Sequence, residues 1–277
     1  MNLFQAAVLG AVEGLTEFLP VSSTGHLILA AHAMGLVGGV MNAFEIVIQA
    51  GALLAVLWLY RARVLEVLRG ITRPRSPGGR LLIGLFVAFL PAAVLGLLLH
   101  KKIEERLFGP LPVAVALFVG GVVMVIFERR RRARGVPPVY DAVDQIPLRV
   151  ALLIGLSQCA SLWPGTSRSM ATILAGLVLG CSAVAAAEFS FLLALPTLGA
   201  ATLYGFLKNR EALLGGATVG PAAMLVGLVV AAVVAAIAIR TFIRYLTKHG
   251  LEPFGWYRIA LALVIVAFLW RHVVGSG

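Results

Sequence analysis

The fold class this sequence predicts is an all-α polytopic membrane protein, with six transmembrane helices plus two re-entrant helical hairpins arranged as two inverted-topology repeats. Three observations carry the prediction. Of the 277 residues, 60% are hydrophobic and only 13% charged, with a mean hydropathy of +0.98, whereas about a quarter of a soluble domain is charged. The basic residues behind the net charge of +11 sit in short segments between apolar runs, the distribution by which membrane proteins orient their loops. Two long, weakly charged stretches are each broken by a cluster of Pro, Gly, Ser and Thr, and broken backbone at membrane depth is tolerable only where it lines a protein cavity. No soluble basic face is left to grip nucleic acid, so none is expected as a partner.

Taken in order, the chain has no Lys or Arg before Arg61, and Glu13, Glu17 and Glu45 are its only earlier acids. Residues 1–40 read as the first hairpin, turning at Pro20, and 42–60 is an apolar run of the length a span needs. Residues 61–80 carry Arg61, Arg63, Arg69, Arg73, Arg75 and Arg80 against Glu66, with Pro74 and Pro77 as breakers, and read as a cytoplasmic loop. Spans follow at 81–100 and 111–127, and Glu128 to Arg134 reads as a second cytoplasmic loop closing a first repeat, 1–135. The second repeat, 145–277, opens with a hairpin at 150–182 and adds spans at 183–207, 221–239 and 254–270, with Arg240, Arg244 and Lys248 in a cytoplasmic loop. Both termini then fall outside. Met1 to Gln5 has no basic residue, so no signal peptide is expected, and Cys159 and Cys181 read as small hydrophobes.

The halves resemble each other in pattern. A shift of 144 residues lays Pro20 on Pro164, Ser22 on Thr166, Ser23 on Ser167 and Tyr60 on Tyr204, and a shift of 143 lays Glu45 on Glu188. Each half is a broken hairpin followed by three spans, and because three is odd the second half must be inverted. Hairpins that crossed would leave their tips about 30 Å apart on opposite faces. Hairpins that re-enter from opposite sides bring the tips together near the midplane, where inverted repeats place their binding sites.

The polar residues define the candidate chemistry. Glu13 and Glu17, four apart, share a helix face; they could hold a divalent cation or orient His26, or be buried acids satisfied by backbone and Arg168. Ser22, Ser23 and Thr24 after Pro20, and Thr166, Ser167 and Ser169 after Pro164-Gly165, are of the types that cap helix starts. Two half-helix N-termini aimed at one place make an anion site, and Arg168 adds a planar donor suited to phosphate. His26, three residues after Ser23, could pair with it as base to nucleophile. His32 and His100 read as core residues, and Glu45 and Glu188 as structural partners of the hairpins.

Glu13-xxx-Glu17, the Pro20-Val21-Ser22-Ser23-Thr24-Gly25-His26 turn, Pro164-Gly165-Thr166-Ser167-Arg168-Ser169 with Thr172, and Ala187-Glu188-Phe189-Ser190-Phe191 together resemble the undecaprenyl-diphosphate phosphatases of the BacA/UppP type. The resemblance covers nearly the whole chain. It implies hydrolysis of the C55 lipid carrier diphosphate to its monophosphate, recycling the carrier for peptidoglycan synthesis, with bacitracin resistance on overproduction. It also implies a divalent cation, Mg2+ or Ca2+, and a bacterial inner-membrane site opening to the outer face. With that activity the expected catalytic residues are Ser23 as nucleophile, His26 as its base and then acid, Glu13, Glu17 and Arg168. Ser22, Thr24, Gly165, Thr166, Ser167, Arg168, Ser169 and Thr172 are expected to bind the diphosphate, and Glu13 and Glu17 to bind the metal. The expected partners are undecaprenyl diphosphate, the bilayer and a second copy in a homodimer. On fold grounds alone a lipid-carrier flippase or transporter is the alternative, by itself or combined with hydrolysis, and it would need no nucleophile and base pair.

Overall fold

A computed structural model describes residues 1–36, 39–107, 109–210 and 219–274 of the chain. Among them every regular element is helical, and a single bridge, Tyr140 to Cys181, is the only strand-like pairing. The first half contains α1 (Leu3–Thr16), α2 (Ser23–Ala33), α3 (Gly39–Leu59), α4 (Arg61–Arg69), α5 (Pro77–Leu107) and α6 (Pro110–Arg134). The second contains α7 (Leu148–Gln158), α8 (Arg168–Val178), α9 (Ala183–Lys208), α10 (Pro221–His249) and α11 (Glu252–Val274).

Local chemistry explains where these helices start and stop. Asn2 and Gln5 cap α1 reciprocally, each side chain accepting from the other's backbone N–H at 2.8 and 3.0 Å. Pro begins α6 and α10, where its missing N–H costs nothing. Gly135, at φ 59°, ends α6 in the left-handed conformation that glycine adopts without steric penalty. Five of the described helices are long and apolar enough to cross a membrane, or six if α3 and the helical segment bent 80° from it are one span. α1, α7 and α8 are apolar but shorter. Large side chains such as Phe86, Val119, Leu225, Ile237 and Leu263 stay exposed on the outer faces, an arrangement suited to lipid rather than water.

The helices pair in a regular way. α1 lies on α10 and α7 on α5; α3 lies on α10 and α9 on α5; α6 lies on α11 and α3 on α9. Apolar burial contributes little between helices in lipid, so close backbone approach through small residues does the joining. Gly10 and Gly14, one turn apart on α1, face Gly227, Ala231 and Ala235 of α10; a Cβ at Gly14 would stand 2.5 Å from the Ala231 carbonyl oxygen. Aromatic packing closes the centre, where Phe18 meets Phe191 edge-on with ring centroids 5.5 Å apart.

Several boundaries differ from the expectation. Residues 61–69 are helical, because Arg63 and Glu66 pair at i,i+3 while Val64 and Val67 pack on the core, and Pro77 opens α5 rather than breaking a helix. The arginine run after Glu128 is the last part of α6, since Glu128 takes Arg131 and Arg132 at 2.7 and 3.2 Å across one helical turn. Arg240, Arg244 and Lys248 likewise lie on the extended end of α10. Glu188 pairs with Arg63 of α4 at 3.3 Å.

Candidate active site

Both broken hairpins turn on a serine held in a conformation that side chains rarely adopt. Ser22 (φ 72°, ψ 101°) caps α2, accepting from Gly25 N at 3.4 Å, and Ser167 (φ 71°, ψ 117°) caps α8, accepting from Met170 N at 3.2 Å. Positive φ in a non-glycine residue costs on the order of 1–3 kcal/mol and persists only where the surroundings impose it. This corrects the repeat register, because Ser22 and Ser167 are the equivalent residues and the shift through the turns is one greater than aligning the prolines gives. Ser23 therefore matches Arg168, and the expected equivalence of Ser23 with Ser167 does not hold.

The tips of the hairpins touch. Ser169 donates to the Leu19 carbonyl at 2.8 Å, which leaves the Ser167 hydroxyl to donate to Ser169 Oγ at 3.0 Å. Arg168 Nη2 reaches Glu17 Oε1 at 3.4 Å, and Nη1 donates to the Ser190 carbonyl at 2.8 Å and to its hydroxyl at 3.3 Å. Thr172 and Ser190 share a 2.6 Å hydroxyl contact behind the guanidinium, whose carbon sits 5.6 Å from the centre of the Phe18 ring. Arg168, Glu13, Glu17, Ser22, Ser169 and Thr172 are buried, whereas Ser23, Thr24, His26, Thr166 and Ser167 are half-buried. The chemistry-bearing hydroxyls and the imidazole thus lie on the open side of a buried charged floor.

Ser23 is engaged by Glu17. Its hydroxyl donates to Glu17 Oε2 at 2.6 Å, the length of a charge-assisted O–H to carboxylate bond. Among the described residues the hydrogen bonds of His26 run elsewhere. Nδ1 stands 2.7 Å from the Ser22 carbonyl, which can only accept, so Nδ1 carries the proton; Nε2 then accepts from the Tyr257 hydroxyl at 2.6 Å. Among the described residues Ser23 and His26, expected to pair as nucleophile and base, make no hydrogen bond to each other, and the Ser23 hydroxyl is held by Glu17.

Of the four Glu13 and Glu17 carboxylate oxygens, one is open to a cation. Both oxygens of Glu17 are claimed, by Ser23 and Arg168, while Glu13 Oε2 is buried with no hydrogen-bond partner among the described residues. An orphaned buried carboxylate oxygen suits a hard cation. The described residues hold no cluster of three or more His, Cys, Asp or Glu placed for a metal, and the acids that act on Glu13 are Glu17 and Glu45.

Four participants were given no role by sequence reasoning, although Ser190 lies in one of the motifs quoted above. Phe18 and Ser190 support Arg168, Tyr257 meets His26, and Arg258, fully buried, donates to the carbonyls of Pro20, Ala116 and Gly165 at 3.2, 3.1 and 3.0 Å. A charge in the middle of an apolar span is itself a signal of function, and Arg258 stands inside the span expected at 254–270.

Comparison with known proteins gives a consistent result. The family model described as "Bacitracin resistance protein BacA" matches residues 6–264. Among curated relatives, "Undecaprenyl-diphosphatase" of Sorangium cellulosum is 53% identical over 96% of this chain and 86% of its own length. "Undecaprenyl-diphosphatase 2" of Rhodospirillum rubrum is 50% identical, covering 98% of this chain and 97% of its own, and "Undecaprenyl-diphosphatase 1" of Chromobacterium violaceum is 46% identical with 98% of each covered.

Proposed function

The chain belongs to the family of the bacitracin resistance protein BacA, and from that premise we propose how its two hairpins divide the work of a phosphatase. The protein hydrolyses undecaprenyl diphosphate to undecaprenyl phosphate and phosphate, recycling the carrier and conferring resistance to bacitracin. The observation that carries the mechanism is the buried pair of Arg168 and Glu17 with Ser23 hydrogen-bonded to the same carboxylate.

Arg168 and the N-termini of α2 and α8 receive the phosphate oxygens, with Ser22, Thr24, Gly165, Thr166, Ser167, Ser169 and Thr172 forming the cradle around them. Ser23 Oγ attacks the terminal phosphorus as Glu17 takes its proton. The new bond is Oγ–P, the bond broken is the bridging P–O, and the lipid phosphate leaves. Water then displaces Oγ from phosphorus. His26, neutral and facing the half-buried side through Tyr257, takes the proton of that water, and Glu17 returns the proton of Ser23. Positioned donors matter most here, because the transition state of phosphoryl transfer spreads its charge over the equatorial oxygens. A divalent cation, Mg2+ or Ca2+, would be held through the unpartnered Glu13 Oε2, with Glu17 a ligand only where it gives up its contact to Ser23 or Arg168, and would neutralise phosphate charge.

We propose the following setting for it. The protein is a multi-pass protein of the bacterial inner membrane, its termini outside, its hairpins re-entrant from opposite sides and its cleft opening outward; a homodimer is its proposed assembly. Supporting the inverted repeats is the pairing of α1 with α10 where α7 has α5, and of α3 with α10 where α9 has α5. The test is phosphate release from undecaprenyl diphosphate by purified protein in detergent, where no transport can occur. Release by the parent and its loss in Arg168→Ala is the expected result; an inactive parent that still moves the lipid in vesicles would overturn hydrolysis in favour of a flippase.

A further inference from the structure

Arg258 is the largest fully buried side chain among the described residues, yet it has no carboxylate partner among them. Guanidinium groups remain charged in proteins, and an unpaired buried charge is costly. Its hydrogen bonds all go to carbonyls, and two of those belong to the broken turns. Nη1 donates to Pro20 O of the first hairpin and Nη2 to Gly165 O of the second, while Nη2 also holds Ala116 O on α6. Carbonyls in a broken turn have no intrahelical partner, and Arg258 supplies donors to both turns at once from a third element, α11.

The surrounding backbone makes room for this side chain. Gly120 of α6 lies against the Arg258 guanidinium, which a Cβ at that position would strike. Gly121 and Gly255 bring α6 and α11 together beside it; a Cβ at Gly121 would stand 2.7 Å from the Gly255 carbonyl. On the other side of the turns stand Ser22 and Ser167 with their positive φ. Each is within two residues of a carbonyl that Arg258 holds.

We infer that Arg258 is a positioning residue that fastens the turns of the two hairpins to one another, setting the distance between Ser23 on α2 and Arg168 on α8. It touches neither phosphate nor nucleophile and acts through the turn backbone. The inference rests on the phosphatase reading, because misplacement of reacting groups by about 1 Å can cost on the order of 10²-fold in rate.

Two substitutions and two readouts test it. In detergent, with undecaprenyl diphosphate, Arg258→Met lowers kcat by about 10²-fold with KM within about threefold, and Arg258→Lys, which keeps three donors, recovers much of the loss. Gly120→Ala, which leaves the arginine in place but presses on it, lowers kcat in the same way by about tenfold with the melting temperature preserved. Spin labels at Leu15→Cys on α1 and Leu156→Cys on α7, with Cys159→Ala and Cys181→Ala, report the separation of the hairpins by double electron–electron resonance. Their distance distribution broadens in Arg258→Met and is narrow in the parent and in Arg258→Lys. Should Arg258→Met fail to fold, Gly120→Ala decides, in kcat and in label distance. A folded Arg258→Met with parental kcat, a loss confined to KM, or an unchanged distance distribution overturns the inference. A parent without phosphatase activity would strike the functional reading, and the label distances would still decide the role of Arg258.

Discussion

The two broken hairpins share a backbone and differ in chemistry. Each turns at a proline, places a serine at positive φ as helix cap and sends a short helix inward. At the residue after the cap the first has Ser23, hydrogen-bonded to a carboxylate, and the second has Arg168, ion-paired to that same carboxylate. Three residues further on, the first has His26 and the second Ala171. In the proposed mechanism the first hairpin supplies nucleophile and proton transfer and the second supplies charge recognition. Glu17 is where they join, and a change at any of these positions tests the division.

The largest effect is expected for Ser23→Ala, which removes the proposed nucleophile. The rate should fall by about 10⁴-fold, the upper end of what an activated group contributes, with lipid diphosphate still bound in an equilibrium assay. Rapid-quench trapping of a phosphorylated enzyme in the parent, absent in Ser23→Ala, would sharpen the comparison. A Ser23→Ala enzyme as active as Ser167→Ala would break it. Next comes Arg168→Lys, which retains charge but loses the fork that reaches both Glu17 and Ser190; turnover should fall about 10²–10³-fold, as for loss of a transition-state donor. Equal activity in Arg168→Lys and the parent would show that point charge suffices.

Tyr257→Phe is expected to be milder. It removes one hydrogen bond from His26 Nε2 without altering the Nδ1 contact to Ser22, so kcat should fall by about tenfold or less, from the roughly 0.5–1.5 kcal/mol of a single hydrogen bond. A flat response across pH would separate His26 from proton transfer. The smallest effect is on stability alone. Ser167→Gly relieves the positive φ and retains most of the cap, whereas Ser167→Ala keeps the strain and loses a cap of about 1 kcal/mol. The melting temperature should therefore be higher in the glycine variant, and the same order should hold at Ser22 if the turns are equivalent.

How much of this was legible follows from particular residues. Glu13, Glu17, Ser23 and Arg168 were visible because polar groups in long apolar runs stand out, and their convergence was expected from reading both hairpins of two inverted halves as re-entrant. The register of the repeat was not, because the second turn has one more residue between its proline and its cap. Pro20 is followed at two residues by Ser22, and Pro164 at three by Ser167. Aligning prolines therefore misaligns every residue of the following helix. The helical arginine runs were hidden because a loop and a basic helix end have the same composition, and only the Glu128 contacts tell them apart. Arg258 has no motif around it; its three acceptors lie far away in sequence and are all backbone.

The seat of α1 on α10 bears on how the enzyme tolerates its surroundings. Gly10 and Gly14 set backbone against backbone there, with no side chain between to change rotamer. Such a joint has almost no mechanical slack. Glu13 rides on that short helix and Glu17 caps its end, so warming, or a swap of the lipids outside, should jostle the rim of the protein while the carboxylates keep their station. A single methyl group inserted at Gly14 would instead act as a wedge, converting a local thickness into a displacement of the whole acidic face.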